Sequence, residues 1–249
     1  MAPVYVGWDV GGWNCDKNAN SRDAIAIIDA EMRLVGRTWR GNLRKSMEVQ
    51  SSEEWIQKLF GLCGAAEPPD LDSVTIAIDT PLGFPEALLS LAVFRRACAP
   101  AASSDQNQYL FRKTERSLAL RGWSPLSSIK DMIGSQSTKA MHALARFAPK
   151  VESCGVWTDG ALLRAIETYP AVCRDAPTIR ALTAAFPVQP HDDMDDAIIC
   201  ALIAAKFASE RDTLEPPGDD ISWAEGWIWA PRGHDGPGKF PKRAGEVPK

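Results

Sequence analysis

Val4-Tyr5-Val6-Gly7-Trp8-Asp9-Val10-Gly11-Gly12 opens the chain with a short apolar run that stops on two glycines. The pattern predicts a buried strand running into a glycine turn. Asp9 stands out in it, because a carboxylate in such a segment loses its water unless something compensates. Asp23-Ala24-Ile25-Ala26-Ile27-Ile28-Asp29 and Leu34-Val35-Gly36-Arg37-Thr38-Trp39 predict two further strands, with residues 29–33 as a tight connection. The chain is therefore expected to begin with three antiparallel strands.

Residues 51–64 open with Ser-Ser-Glu-Glu and predict a helix with an N-cap and an acidic first turn. Val74-Thr75-Ile76-Ala77-Ile78-Asp79 predicts a fourth, buried strand, stopped by Thr80-Pro81-Leu82-Gly83-Phe84-Pro85. A helix over about 86–97, a loop over 99–110, and helices over 111–121 and 135–147 follow. Ala165-Ile166-Glu167-Thr168-Tyr169 before Pro170 predicts a last strand, and residues 178–186 and 193–209 predict helices. The second of these is far more apolar than a surface helix. Trp223, Trp227 and Trp229 are expected to seal an edge of the core, and from Pro231 the composition is that of a flexible tail.

The 249 residues suffice for one large α/β domain, and no internal repeat or interior linker divides them. No run of 18 apolar residues exists, so no membrane-spanning helix is expected. The start Met1-Ala2-Pro3-Val4 lacks the basic-then-apolar pattern of a secretory signal. Six cysteines without a Cys-x-x-Cys pair read as free thiols of a reducing cytoplasm, not as a disulfide framework or zinc site. The formal charge of −4 is uneven: residues 95–150 carry 10 basic and 3 acidic side chains, and residues 151–230 carry 5 and 14. An acidic chain is a poor candidate for nucleic-acid binding. The basic block weakens that objection.

Three acidic positions sit where a core residue or a turn is expected. They are Asp9, Asp79, and the group His191-Asp192-Asp193-Met194-Asp195-Asp196 at the start of the apolar helix. At 100° per residue, Asp192, Asp193 and Asp196 share a face with Ile199, Cys200, Ile203 and Phe207, while Asp195 lies on a flank near Lys206. If that face packs on the sheet, Asp193 and Asp196 point at its end, where Asp9 and Asp79 also lie if neighbouring parallel strands carry them. Each acid alone has a plain alternative: Asp192 or Asp193 as helix N-cap, Asp9 and Asp79 as turn organisers. Together they would repel one another unless a cation offset the charge. Oxygen-only ligands with open positions suit Mg²⁺ or Mn²⁺.

Several spaced motifs agree with one known pattern. Gly7-Trp8-Asp9-Val10-Gly11-Gly12, Ile76-Ala77-Ile78-Asp79-Thr80-Pro81-Leu82-Gly83-Phe84-Pro85 and Phe111-Arg112-Lys113-Thr114-Glu115 occur in that order. Glu167-Thr168-Tyr169-Pro170-Ala171, His191–Ala197 and Glu225-Gly226-Trp227-Ile228-Trp229 follow. Over residues 4–230 the chain resembles the family of predicted nucleases with an RNase H-like fold. It is more distantly similar to Holliday-junction resolvases of the RuvC type. The resemblance implies an α/β fold: an RNase H-like mixed sheet of three antiparallel N-terminal strands plus parallel strands, flanked by helices. It implies one domain over 1–230, with a helical, basic insertion over about 98–150 and a tail over 231–249.

It also implies a hydrolase that cleaves DNA or RNA with two divalent ions, held by Asp9, Asp79, Asp193 and Asp196. Asp79 and Asp196 are short where the wider group often has Glu. Arg112 and Lys113 are the substrate-binding candidates, although Arg112 and Glu115 also stand one turn apart as a helix-surface pair. Glu167, His191 and Asp192 are additional candidates, with a turn acid and helix-entry residues as their plain readings. Arg116, Arg121, Lys130 and Lys139 would extend a basic face unless they are simply solvated. Trp8 and Trp13 would stack on a base unless they belong to the core. Nucleic acid is the implied partner and no membrane is. Two other classes compete. An ATP-dependent phosphotransferase of the actin-like and sugar-kinase superfamily also places Asp before a glycine turn, but normally duplicates the fold. A non-catalytic binding module would keep the fold without a metal.

Overall fold

In the computed structural model, residues 2–66, 71–98, 103 and 106–237 are described. Seven strands form one mixed sheet: β1 (Ala2–Asp9), β2 (Asp23–Ile28), β3 (Trp39–Gly41), β4 (Leu71–Asp79), β5 (Lys150–Ser153), β6 (Val156–Thr158) and β7 (Leu163–Glu167). Their order is β3-β2-β1-β4-β7-β6-β5. β2 runs antiparallel to β1 and to β3, whereas β4 is parallel to both β1 and β7. β5 and β6 add an antiparallel hairpin beyond β7.

Seven helices accompany the sheet: α1 (Ser52–Leu62), α2 (Glu86–Phe94), α3 (Lys113–Leu120), α4 (Gly134–Phe147), α5 (Pro170–Cys173), α6 (Pro177–Thr183) and α7 (Asp192–Ser209). Side chains alternate across the central strands. Val4, Val6 and Trp8 of β1 and Val74, Ile76 and Ile78 of β4 face α1 and α4, in one apolar cluster with Trp55 and Phe147. Tyr5, Ala24, Ala26 and Ala77 face α7 on the other side, in a second cluster.

The residues beneath α7 are small, and this brings helix and sheet unusually close. A Cβ on Gly7 would lie 1.8 Å from the Ala197 carbonyl oxygen and 2.4 Å from the Ala201 nitrogen. Residues Ala197 to Phe207 are all buried, which accounts for the apolar character that the sequence shows around the whole helix. His191, not an aspartate, caps it: the imidazole Nδ1 accepts a hydrogen bond from the Asp193 amide at 3.2 Å.

Several local expectations are corrected. The third strand is not 34–39 but Trp39–Gly41, with Leu34 keeping a single bridge to Ile28. Gly36 takes a left-handed φ of 76°, and the Arg37 amide donates to Cys63 O instead of to β2, so the ladder breaks there. The hairpin β5–β6 and the short α5 are absent from the sequence reading. Trp227 and Trp229 are buried as expected, but Trp223 is 57% exposed. The tail's first residues are tied to the body: Arg232 N donates to Thr213 O, and Gly236 N to Arg121 O. Residues 238–249, with Lys239, Lys242 and Arg243, lie outside the described residues, as do 99–102, 104 and 105 of the expected loop. Among the described residues no helix is long and apolar enough to cross a membrane.

Gly7→Ala is expected to destabilise the protein by at least about 3 kcal/mol, because backbone faces the new methyl group and no flexible side chain can give way. Urea unfolding of the variant checks this; a loss under about 1 kcal/mol would show that α7 can be lifted cheaply.

Candidate active site

β1 and β4 end together, and their register pairs Asp9 directly with Asp79. Parallel neighbours lie roughly 4.8 Å apart. Alternation turns both side chains to the α7 face, the face of Gly7 and Ala77. Two ionised carboxylates about 5 Å apart repel by roughly 3 kcal/mol at an effective dielectric of 20. Neither accepts a hydrogen bond or ion pair from any described residue. Burial, then Asp79, then Asp193 and Asp196, push the pKa of Asp9 well above the ordinary carboxylate range. Asp79 is raised likewise, by burial first and then by Asp196 and Glu167, with Arg174 acting in the opposite direction.

The first turns of α7 bring the remaining acids to these strand ends. Asp196 is pushed up to about 6 by burial, against the lowering effect of Arg174, whose guanidinium bonds it at 2.6 Å. Asp193 accepts from Arg40 Nε at 2.8 Å and from the Arg22 amide at 3.0 Å, which ties α7 to β3 and to the approach of β2. Asp192 is exposed. The sequence thus places Asp9, Asp79 and Asp196 in one electrostatic neighbourhood, while Asp193 is bound into a structural ion pair.

A cavity of about 180 Å³ opens at these strand ends. Asp9, Asp79 and Thr80 line it together with Thr168, Tyr169 and Glu167, and Leu126, Ile133 and Gln136 from the α3–α4 connection and α4 wall it off. The Tyr169 phenol is pushed up to about 12, chiefly by burial and next by Asp79. Glu167 points elsewhere: alternation sends it with Leu163 and Ala165 to the face away from α7. There it accepts from Arg112 through both oxygens, at 2.5 and 2.8 Å, and from the Leu82 amide at 2.9 Å.

Arg112 is fully buried, and it also bonds Glu115 at 2.9 Å and the Glu225 carbonyl at 2.8 Å. The pairing of Arg112 with Glu115 read from the sequence is therefore an interior one, and four of the five guanidinium N–H groups are engaged. The Lys113 amide donates to Glu225, and its amine reaches Asp220 at 2.9 Å. These motif residues lock the 80–86 loop, α3 and the 225–229 segment together, and the Arg112 guanidinium itself is closed off from a substrate.

In the rest of the basic block Lys130 is exposed and Arg116 and Arg121 are half-buried, whereas Lys139 is interior. Lys139 is buried on Asp23 and also donates to the carbonyls of Gly11 and Gly12 at 3.3 Å. Asp23 in turn accepts from Trp8 Nε1 at 3.0 Å and Gly11 N at 2.9 Å, so this pair fixes the glycine turn after Asp9. Arg121 pairs with Asp235, and Lys130 with Asp131. Trp8 belongs to the core, and Trp13 bonds Ser135 and Thr138 of α4. Arg174 and Arg40, which sequence reasoning passed over, are the cations in contact with the candidate acids. Their only sequence signal was position, Arg174 lying five residues after Thr168-Tyr169.

As the side chains stand, no three His, Cys, Asp or Glu groups among the described residues are close enough to hold a metal ion. Asp196 and Asp193 are engaged by Arg174 and Arg40. The donor chemistry of Asp9, Asp79 and Asp196 nevertheless suits a hard cation, being all oxygen and mutually repulsive. Compared with protein-family models, curated proteins and solved structures, the chain matches none.

The signs give two predictions. Asp196, Asp9 and Asp79 hold protons more tightly folded than unfolded, so their contribution to stability is present at low pH and lost as pH rises. For Asp196 the loss falls between about pH 4 and pH 6. Thermal unfolding between pH 5 and 8 should show the wild type losing stability with pH, and Asp196→Asn losing less and gaining on the order of 2 kcal/mol at pH 8. A variant no more stable than wild type at pH 8 would contradict the assigned repulsion. Second, Arg112→Ala strands Glu115 and Glu167 and should cost about 3–5 kcal/mol in urea unfolding. Arg112→Lys should recover little, since a point ammonium cannot make the fork.

Proposed function

We propose that the chain has an RNase H-like fold and is a divalent-metal-dependent nuclease that hydrolyses phosphodiester bonds of DNA or RNA. The observation that carries this is the pair Asp9 and Asp79, register-matched at the ends of parallel strands, half-buried and without a bonded cationic partner, beside Asp196. Proteins seldom keep such a pair without use, because each charge lowers the stability of the fold. The order of strands supports the reading. Three antiparallel strands precede parallel β4 and β7, with acids ending the first and fourth strands and a further acid on a late helix. That is the arrangement implied by the motif resemblance.

In this reading Asp9, Asp79 and Asp196 hold Mg²⁺ or Mn²⁺. Bound ions would supply a water deprotonated near neutral pH and neutralise charge on the departing oxygen. The chain's own part is to present three carboxylates from rigid elements. Lys139 and Asp23 fix the turn after Asp9, and Gly7 seats α7 so that Asp196 faces the strand ends. A non-catalytic binding module is the second reading, favoured by the arginines that already occupy Asp193 and Asp196. The phosphotransferase reading has less support, since a single sheet carries no second copy of the glycine turn.

Incubation with single-stranded, duplex and branched DNA and RNA, in Mg²⁺, Mn²⁺ or EDTA, decides among these. Cleavage is expected only with metal, and is expected to fall by at least about two orders of magnitude in Asp9→Asn and Asp79→Asn. Cleavage that survives either substitution would overturn the mechanism, and a wild type inert on every substrate would leave the binding module ahead.

A further inference from the structure

The cavity at the strand ends has two unlike parts. Asp9 and Asp79 line one of them, but Asp196 and Arg174 do not, so the space runs from the two carboxylates away from α7, toward α4 and the α3–α4 connection. Its walls there are Pro125, Leu126, Ile133 and Tyr169. One amide stands among these apolar groups. Gln136 of α4 is half-buried, and its side chain bonds no described residue. An apolar cavity of roughly 150 Å³ holds one benzene ring, so about 180 Å³ has room for one flat ring and none for a base pair. Apolar walls around a single hydrogen-bonding edge are what an unstacked nucleobase requires.

We propose that this cavity takes one unstacked base of a single-stranded nucleic acid, with Gln136 at the base edge and the adjoining phosphate at Asp9 and Asp79. The place of that phosphate rests on the nuclease reading, and the base cavity narrows its substrate to single strands. A base in a duplex is stacked and paired, and extracting it costs a few kcal/mol, a cost that is least in a single strand. The surrounding charge favours the same substrate. Tight duplex binding commonly draws on roughly 6–10 phosphate contacts from Lys and Arg. Here Arg40 and Arg174 are held by Asp193 and Asp196, Lys130 by Asp131, and Lys139 is buried on Asp23. Arg22, next to Ser21 of the cavity lining, has no carboxylate partner among the described residues and is placed to meet one phosphate. Stacking and a base-edge contact, not a basic face, then hold the strand.

Fluorescence anisotropy of the full chain with labelled DNA and RNA oligonucleotides tests this, with Ca²⁺ in place of Mg²⁺ and strand integrity checked on a gel, so that binding is read apart from cleavage. A single strand should bind at least about tenfold more tightly than the duplex of the same sequence, and replacing its nucleotides by abasic sites should remove at least about that factor. Gln136→Ala should weaken binding of the intact single strand about tenfold and leave the abasic strand unchanged, which a merely structural role would not do. A duplex bound as tightly as the single strand overturns the proposal, as does an abasic strand bound as tightly as the intact one, or no binding of any strand. The two readings fail separately. A wild type that binds single strands through Gln136 but cleaves nothing in Mn²⁺ loses the nuclease and keeps the base cavity. One that cleaves duplexes as fast as single strands in Mn²⁺, and equally well as Gln136→Ala, keeps the nuclease and loses the base cavity.

Discussion

The contact between Gly7 and the backbone of Ala197 and Ala201 sets the geometry of the whole site. With hydrogen at this one position, α7 rests directly on β1, and Ala24, Ala26 and Ala77 widen the same shallow seat. A helix held that close has its first turns fixed against the ends of β1 and β4. The position of Asp196 relative to Asp9 and Asp79 is therefore a consequence of packing between small residues, not of attraction among charges that repel.

The acids around the strand ends fall into two groups. Asp193, Asp196, Glu167 and Glu115 each have an arginine, and Asp23 has Lys139. Asp9 and Asp79 have none among the described residues, although they are neighbours on adjacent strands. The first group fixes the frame: Arg112 joins three segments from distant parts of the chain, and Lys139 joins α4 to the glycine turn. The second group stores repulsion that the frame holds in place. Arg174 stands between the two, since it pairs with Asp196 and its field also eases the charge on Asp79.

Much of this was legible in the sequence. The strands carrying Asp9 and Asp79 are buried on both faces, so they read as continuous apolar runs, and the acid ending each was visible against that background. α7 was visible for the same reason. The third strand was misplaced because Gly36 lies within an apparently regular pattern and diverts the ladder toward α1. The β5–β6 hairpin is short and half-exposed, with Lys150, Val151 and Glu152 facing solvent, so it carries no apolar run to read. The basic block was visible only as charge. Nothing local distinguishes Arg112 and Lys139, fully buried among carboxylates 3 to more than 100 residues away, from solvated side chains. Arg174 and Arg40 were missed because their partners lie 22 and 153 residues away.

The nuclease proposal requires Asp9, Asp79 and Asp196 to form one cation site from which the Arg174 guanidinium can be displaced. Crystals grown with Mn²⁺ and measured at the manganese absorption edge test it most directly. Anomalous density is expected between Asp9 and Asp79, with Asp196 turned toward it and Arg174 released. Full occupancy of Asp196 by Arg174, with no anomalous density at the strand ends, would contradict it.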